Sequence, residues 1–333
     1  MNASQESCVA SPPSETSLLR SRVTAPYIAA ELLIAILSTT GNLLVCLAVI
    51  RNRKLRTVTN YFLVSLAVAD LFVGLLAIPC AVLTGLGIPH HNLPVCLLLL
   101  SVLIVLTQSS VLSLLAVAAE RYVAILLPLQ YQRIMSPRNA RLALGLTWAL
   151  ALVSGAVPLM GWHDSPPPSG FCIFTCVVNM SYMVYFNFFG CVLLPLVVMF
   201  GIYGRIFITV RQHLRRIADL RGLAGQGAGA GARPLRMRSE RRKATSLFLI
   251  LFLFMLCWLP LHCINCVLLL CPSCNVPLPV SLAAILLSHA NSALNPLLYA
   301  YRMRSFRHTL KMMCLCQWQH GNREGQSTLR ETQ

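Results

Sequence analysis

Apolar residues in this chain do not alternate with the period of two of a half-buried strand; they run on in long blocks divided by short polar, basic or proline-bearing stretches. Seven blocks reach the ~20 residues a helix needs to cross a bilayer. They lie near residues 26–50, 60–85, 94–126, 140–162, 181–213, 244–270 and 278–302. The pattern predicts an all-α membrane protein, a seven-transmembrane-helix bundle. Beyond the last block, Phe306, Leu310 and Met313 recur at helical spacing among basic residues, which predicts a short amphipathic eighth helix on the inner leaflet over 303–316. No internal repeat is evident, and the short connections argue for one bundle. The expected division is an outer N-terminus (1–25), the helical domain (26–302) with a flexible glycine-bearing cytoplasmic loop over about 214–240, the amphipathic helix, and a tail (317–333).

The seventh block departs from its own pattern. It is apolar enough to cross a bilayer, yet it carries Ser288, His289, Asn291, Ser292, Asn295 and Tyr299. Ser288, Ser292, Asn295 and Tyr299 are spaced by four, three and four and so share a face. Polar groups in hydrocarbon are costly unless they meet partners or enclosed water. That face must look into a bundle, and Pro296 kinks the helix beside Asn295.

Composition agrees with a chain mostly in lipid: 56% of the 333 residues are hydrophobic, 11% are charged, and the mean hydropathy is +0.69. A net charge of +17 would suggest nucleic acid in a soluble protein. Its placement excludes that reading. Apart from Arg20 and Arg22, every Lys and Arg lies in or beside the first, third and fifth connections or the tail. The positive-inside rule makes those cytoplasmic, with the N-terminus outside and the C-terminus inside a plasma membrane. Residues 1–22 contain no apolar core, so the first span is expected to act as the insertion signal.

Sidedness also sorts the modifiable residues. Asn2-Ala3-Ser4 is a glycosylation sequon on the outer side. Cys8, Cys96, Cys172, Cys176, Cys271 and Cys274 face the oxidising exterior; Cys96 with Cys172 is the expected pair, and Cys271 with Cys274 a small bridge within the third outer loop. Cys314 and Cys316 follow the last span on the inner side, where palmitoylation is expected.

Several constellations fall inside the spans. Asp70 is an isolated carboxylate in mid-span, with Ser110, Asn291 and Ser292 at comparable depth. Bare charge is costly there, so the residues fit either a sodium ion or a protonated Asp70 in a hydrogen-bond network. Glu120-Arg121-Tyr122 closes the third span, and Glu240 opens the sixth on the same side; an Arg121–Glu240 ion pair would be a lock that breaks on activation. Phe254, Trp258, His262 and Asn265 form one stripe of the sixth span around Pro260. Their polar tips converge with Thr107, Met183, Asn187, Ser288 and His289 in the outer third of the bundle. Glu31 in the first span can hydrogen-bond His289, either as a structural pair or to fix its tautomer for a ligand. The cavity carries no net charge and suits a small neutral ligand with a flat ring. No lysine lies within a span, which excludes a Schiff base, and no nucleophile–base pair or metal cluster points to an enzyme or a resident cofactor. A secondary transporter would also place polar groups in helices, but no broken-helix pair or inverted repeat is visible.

Asn42, Asp70, Glu120-Arg121-Tyr122, Trp148, Cys257-Trp258-Leu259-Pro260 and Asn295-Pro296-Leu297-Leu298-Tyr299 resemble the rhodopsin-like G-protein-coupled receptors. Within that family, Leu106-Thr107-Gln108-Ser109-Ser110, Cys172-Ile173-Phe174, Tyr182 to Phe188, Trp258 to His262 with Asn265, and Leu286 to Ser292 resemble the adenosine receptors. The resemblance implies that Asn265 grips an adenine through both ends of its amide, that Phe174 stacks on the purine, and that Leu261, Ile285 and Met183 wall the ring. It implies that Thr107, His262, Ser288 and His289 meet the ribose, and that Trp258 passes the signal to Arg121. It implies a heterotrimeric G protein as partner, stimulatory in preference to inhibitory, with a receptor kinase and arrestin acting afterwards. Thr175 departs from the family, several members of which carry a Glu after the stacking Phe.

Overall fold

The computed structural model describes residues 14–165, 168–223, 232–271, 273–303 and 306–313. Seven long helices are present: α1 (Ser14–Arg51), α2 (Val58–Phe72, continued through a π-helical turn Val73–Ala77 into Ile78–Gly85), α3 (Leu93–Leu126), α4 (Pro137–Gly155), α5 (a π-helical segment Tyr182–Leu193 leading into Leu194–Leu223), α6 (Ala232–Leu270) and α7 (Leu278–Arg302). An eighth, α8, covers 306–313. Five stretches (in α1, α2, α3, α5 and α6) are long and apolar enough to cross a membrane by composition alone. The other two fall short for a visible reason: α4 begins with Arg138, Asn139 and Arg141, and α7 carries the polar face described above.

The helices close into a ring, α1 against α2 and α7, α5 against α6, α6 against α7, with α3 packed on α2, α4 and α5 in the middle. Glycine lets two of these contacts come close. A Cβ on Gly155 would lie 2.6 Å from the backbone of Val105, and one on Gly74 would lie 2.7 Å from the carbonyl of Ala35. In a bundle without a hydrophobic drive between helices, such close backbone approach supplies the packing energy. Helix starts follow local chemistry: the side chains of Thr57, Asn92 and Ser136 accept from the third backbone N–H of α2, α3 and α4, the role for which these residues are favoured at N-caps.

Disulfides tie one end of the bundle. Cys96 at the head of α3 is bonded to Cys172, and Cys271 to Cys274; Cys176 is disulfide-bonded as well. Between Cys172 and α5 the chain makes one helical turn (Phe174–Val177) and two isolated antiparallel bridges, Gly87 with Cys172 and His163 with Val178.

The first helix starts at Ser14, within the stretch expected to be the outer N-terminus. Two expectations are corrected. The fourth span ends at Gly155 and gives way to a short 3₁₀ turn at Val157–Met160, where Pro158 lacks the N–H that a continuing helix needs. The stretch 214–240, expected as a flexible loop, is helical up to Leu223 and again from Ala232, leaving only 224–231 outside the described residues. Good helix formers crowd both flanks, and Pro234 falls in the first turn of α6, where its missing N–H costs nothing. Phe306 of α8 is fully buried against Tyr299 with ring centroids 5.9 Å apart, so the bundle covers the apolar face of the amphipathic helix at this position. Asn52 pins the same helix by donating to the hydroxyl of Thr309 at 2.7 Å.

Candidate functional site

The disulfide-tied half of the bundle, expected from the charge distribution to be the outer one, holds most of the residues singled out from the sequence. Phe174 packs, half-buried, in one cluster with Cys96, Leu97, Leu100, Ile104, Cys172 and Met183, so the disulfide carries it over the end of α3. On α6, Phe254, Trp258 and His262 form a ladder with ring centroids 5.9 and 6.1 Å apart, as their spacing of four requires. Asn265 is buried one turn further out, while Leu261 and Ile285 are half-buried. Phe188, a residue not singled out from the sequence, stacks on His262 at 4.6 Å and 15°.

Opposite them, His289 hydrogen-bonds through Nδ1 to both carboxylate oxygens of Glu31, at 2.9 and 2.8 Å, and both side chains are buried. The hydroxyls of Thr107 and Ser288 donate to the carbonyls of Leu103 and Ile285, which leaves their oxygens with acceptor capacity. Asn187 is buried on the π-helical segment of α5, and the hydroxyl of Tyr182 donates to the carbonyl of Ser154 on α4 at 2.7 Å.

Several buried polar atoms in this region have no hydrogen-bond partner among the described residues: Nε1 of Trp258, both ring nitrogens of His262, Nε2 of Gln108 and Oγ of Ser101. Each such group costs about 1–3 kcal/mol if it stays unmatched. Trp258 and His262 adjoin on one helix, so together they offer one donor and an amphoteric imidazole to a polar ligand.

Deeper, Asp70 is fully buried and its carboxylate accepts three hydrogen bonds: from Ser110 (3.2 Å) and Ser292 (2.9 Å) on one oxygen and from Asn295 (2.7 Å) on the other. Two members of this set were expected; Asn295 had been assigned to the inner switch instead. Asn291 is buried on the same helix, but its side chain makes no described hydrogen bond to Asp70. Asn42 donates to the carbonyl of Ser292 at 3.0 Å, while its own carbonyl oxygen is buried without a partner. A carboxylate, two hydroxyl oxygens and an orphaned amide oxygen are a hard-oxygen set that fits sodium.

At the opposite end, expected to be the inner one, Arg121 pairs with the residue before it. Its Nε lies 2.5 Å from one carboxylate oxygen of Glu120 and a guanidinium nitrogen lies 2.6 Å from the other; the guanidinium also donates to Thr59 on α2. Thr59 (2.8 Å) and Tyr131 of the second inner connection (2.7 Å) both donate to Glu120. Burial, and next the bond to Glu120, push the Tyr131 phenol up to about 12, so it remains a donor at neutral pH. The side chain of Glu240 lies outside the described residues, as do Asn2, Cys8, Cys314 and Cys316. Tyr122 is half-buried beside this cluster, and Tyr299 is fully buried on α7 beside Pro296.

A ring of seven helices thus carries unmatched polar groups toward its disulfide-tied end, a buried carboxylate at mid-depth and an ion-paired arginine at the other end. Residues 41–299 match the family model described as 7 transmembrane receptor (rhodopsin family). The chain is 44% identical to human adenosine receptor A2a over 86% of its own length and 71% of the relative's. It is 44% identical to chicken adenosine receptor A2b over 86% and 89% of the two chains, and 46% identical to the bovine A2b receptor over 86% and 88%. The chain belongs to the adenosine receptor family of rhodopsin-type seven-transmembrane receptors.

Proposed function

We propose that this chain is a plasma-membrane receptor for adenosine, with its N-terminus outside, that couples nucleoside binding to a stimulatory heterotrimeric G protein and so to adenylate cyclase. The observation that carries the reading is the unmatched polar ladder of Trp258 and His262 beneath Asn265, facing a Glu31-anchored His289, in a chain 44% identical to an A2a receptor. Asn265 presents both a donor and an acceptor to the adenine edge, a bidentate geometry worth about 1–3 kcal/mol. Phe174 covers one face of the purine, for about 1–3 kcal/mol of stacking. Thr107, Ser288, His262 and His289 reach the ribose, and Met183, Leu261 and Ile285 fill the walls.

Activation follows from differential binding. Ribose hydroxyls bridge α3 and α7 only if the two approach, so adenosine favours the inward arrangement. That movement displaces Trp258 and, through Phe254 and the Asn295-Pro296 kink, loosens the hold of Glu120, Thr59 and Tyr131 on Arg121. Sodium bound at Asp70, Ser110 and Ser292, with Asn291 and Asn42 in reach on neighbouring turns, would favour the resting arrangement by keeping those helices apart. The inner ends of α5 and α6, with Arg121, are the docking region for the G protein, and after activation for a receptor kinase and arrestin. Similarity to A2a and A2b relatives supports the stimulatory partner.

The test is cAMP in cells expressing the chain at the surface, with adenosine added, beside Asn265→Ala. A rise that the variant loses by tenfold or more (about 1.4 kcal/mol) is expected. No change in cAMP with confirmed surface expression would remove the nucleoside reading, and a fall would replace the stimulatory partner with an inhibitory one.

A further inference from the structure

Phe174 opens the helical turn Phe174–Val177 and lies between Cys172 and Cys176, both of them disulfide-bonded. Cys172 is joined to Cys96 at the head of α3. Cys176 is buried in the same cluster as Cys96 and Leu97, and its partner follows by elimination. The chain has 14 cysteines. Cys96 with Cys172 and Cys271 with Cys274 are complete pairs, while Cys46, Cys80, Cys191, Cys257, Cys263 and Cys266 are free. Cys8, Cys314 and Cys316 remain, and all three lie outside the described residues.

Distance removes two of them. Cys314 directly follows α8, and Thr309 of α8 is bonded to Asn52. Thr59, shortly after Asn52 in the chain, bonds to Arg121, so α8 lies at the Arg121 end of α3. Cys176 lies at the Cys96 end. The run of α3 from Cys96 to Arg121 is about 37 Å long at a helical rise of about 1.5 Å per residue. Bonded cysteines hold their Cα atoms within about 7 Å, and the short stretch from α8 to Cys316 reaches only about 10 Å. Neither Cys314 nor Cys316 can meet Cys176. Cys8 precedes Ser14, the first residue of α1, by a stretch that reaches about 20 Å, and it belongs to the side on which the other two disulfides lie.

We infer that Cys176 is bonded to Cys8, and that this third disulfide ties the segment before α1 to the loop that carries Phe174. Its formation takes one proton from each thiol and two electrons from the pair. The electrons pass by thiol–disulfide exchange to a protein disulfide of the oxidising compartment, which is reduced to two thiols. The bond has a consequence for the ligand, and that part rests on the adenosine-receptor reading above. α1 carries Glu31, which is bonded to His289. The disulfide therefore links the wall assigned to the ribose with the ring assigned to the purine. A crosslink between segments so far apart in sequence removes freedom from the opened state, so Phe174 and α1 separate less often. The effect falls on the off-rate.

The experiment places a tag ahead of Met1 and a protease site between Pro13 and Ser14 of the full-length receptor. After cleavage on intact cells, the tag is expected to stay with the receptor on a non-reducing gel and to leave it when a thiol reductant is added. In Cys176→Ser the tag is expected to leave without reductant. Release of the tag from the wild type without reductant, its retention in Cys176→Ser, or a disulfide-linked dimer in place of the internal bond would overturn the pairing. The double variant Cys8→Ser with Cys176→Ser leaves neither thiol to mispair. It is expected to release a labelled purine antagonist at least about threefold faster than the wild type, and an unchanged rate would overturn the role in holding the ligand. The tag assay reads no ligand. A wild-type receptor that keeps its tag but binds no purine would strike at the functional reading and leave the pairing standing.

Discussion

Replacing Glu31 by alanine separates ribose recognition from purine recognition. Glu31 is fully buried and accepts from Nδ1 of His289 at 2.8 and 2.9 Å. That bond places the imidazole proton on Nδ1 and leaves Nε2 as an acceptor directed by the ring's fixed orientation. In the alanine variant the buried Nδ1 loses its acceptor, which costs about 1–3 kcal/mol. The imidazole recovers part of this by turning or changing tautomer, and either response removes Nε2 from the ribose. Adenosine affinity is therefore expected to fall about 10- to 100-fold, at 1.4 kcal/mol per decade. A flat antagonist without a sugar, held by Asn265 and Phe174, loses little. Glu31→Gln keeps one oxygen for Nδ1 and is expected to fall between the two. The assay is radioligand competition on membranes, with adenosine and a xanthine measured against the same label. Equal losses for both ligands would mean that the pair only supports the fold, and an unchanged adenosine affinity would refute the tautomer argument altogether.

Asp70→Asn removes the charge but keeps an acceptor for Ser110, Ser292 and Asn295. If sodium occupies the cluster, added NaCl lowers adenosine affinity at least about fivefold in the wild type and has no effect in the variant; salt-independent binding in both would dismiss the cation. Tyr131→Phe deletes one of the donors that restrain Glu120. A bond of roughly 1 kcal/mol translates into about a fivefold rise in ligand-free cAMP, and unchanged basal cAMP would show that Thr59 and Arg121 hold the glutamate without help.

How much of this was legible in the chain differs from part to part. The helices were, because a spanning segment must satisfy its own backbone and must be apolar for about 20 residues, and both demands are written locally. The Glu31–His289 pair was also legible, because a buried carboxylate and an imidazole in facing helices have few alternatives to each other. The paired cysteines followed from sidedness. The inner loop was misread because glycine content drew attention to its centre, while the helix formers on either side of it extended α5 and α6. Phe188 was overlooked because one face of an α-helix was assumed where the chain runs in a π register. The burial of Phe306 against Tyr299 was not legible, because helical spacing reports that a face is apolar and not what covers it.

Sequence alone therefore determined the seven spans and the polar stripes they carry, since each depends on residue type and on spacing along one helix. Tertiary structure alone decided which groups meet across helices. It assigned Asn295 and not Asn291 to Asp70, gave Arg121 to Glu120 and Thr59, and paired Asn179 with Asp164. Those pairings depend on helix rotation and depth, which are set by the close contacts at Gly74 and Gly155 and by the π turns of α2 and α5. A single residue's shift in register turns a side chain about 100° around its helix, enough to exchange one partner for another without changing any local pattern.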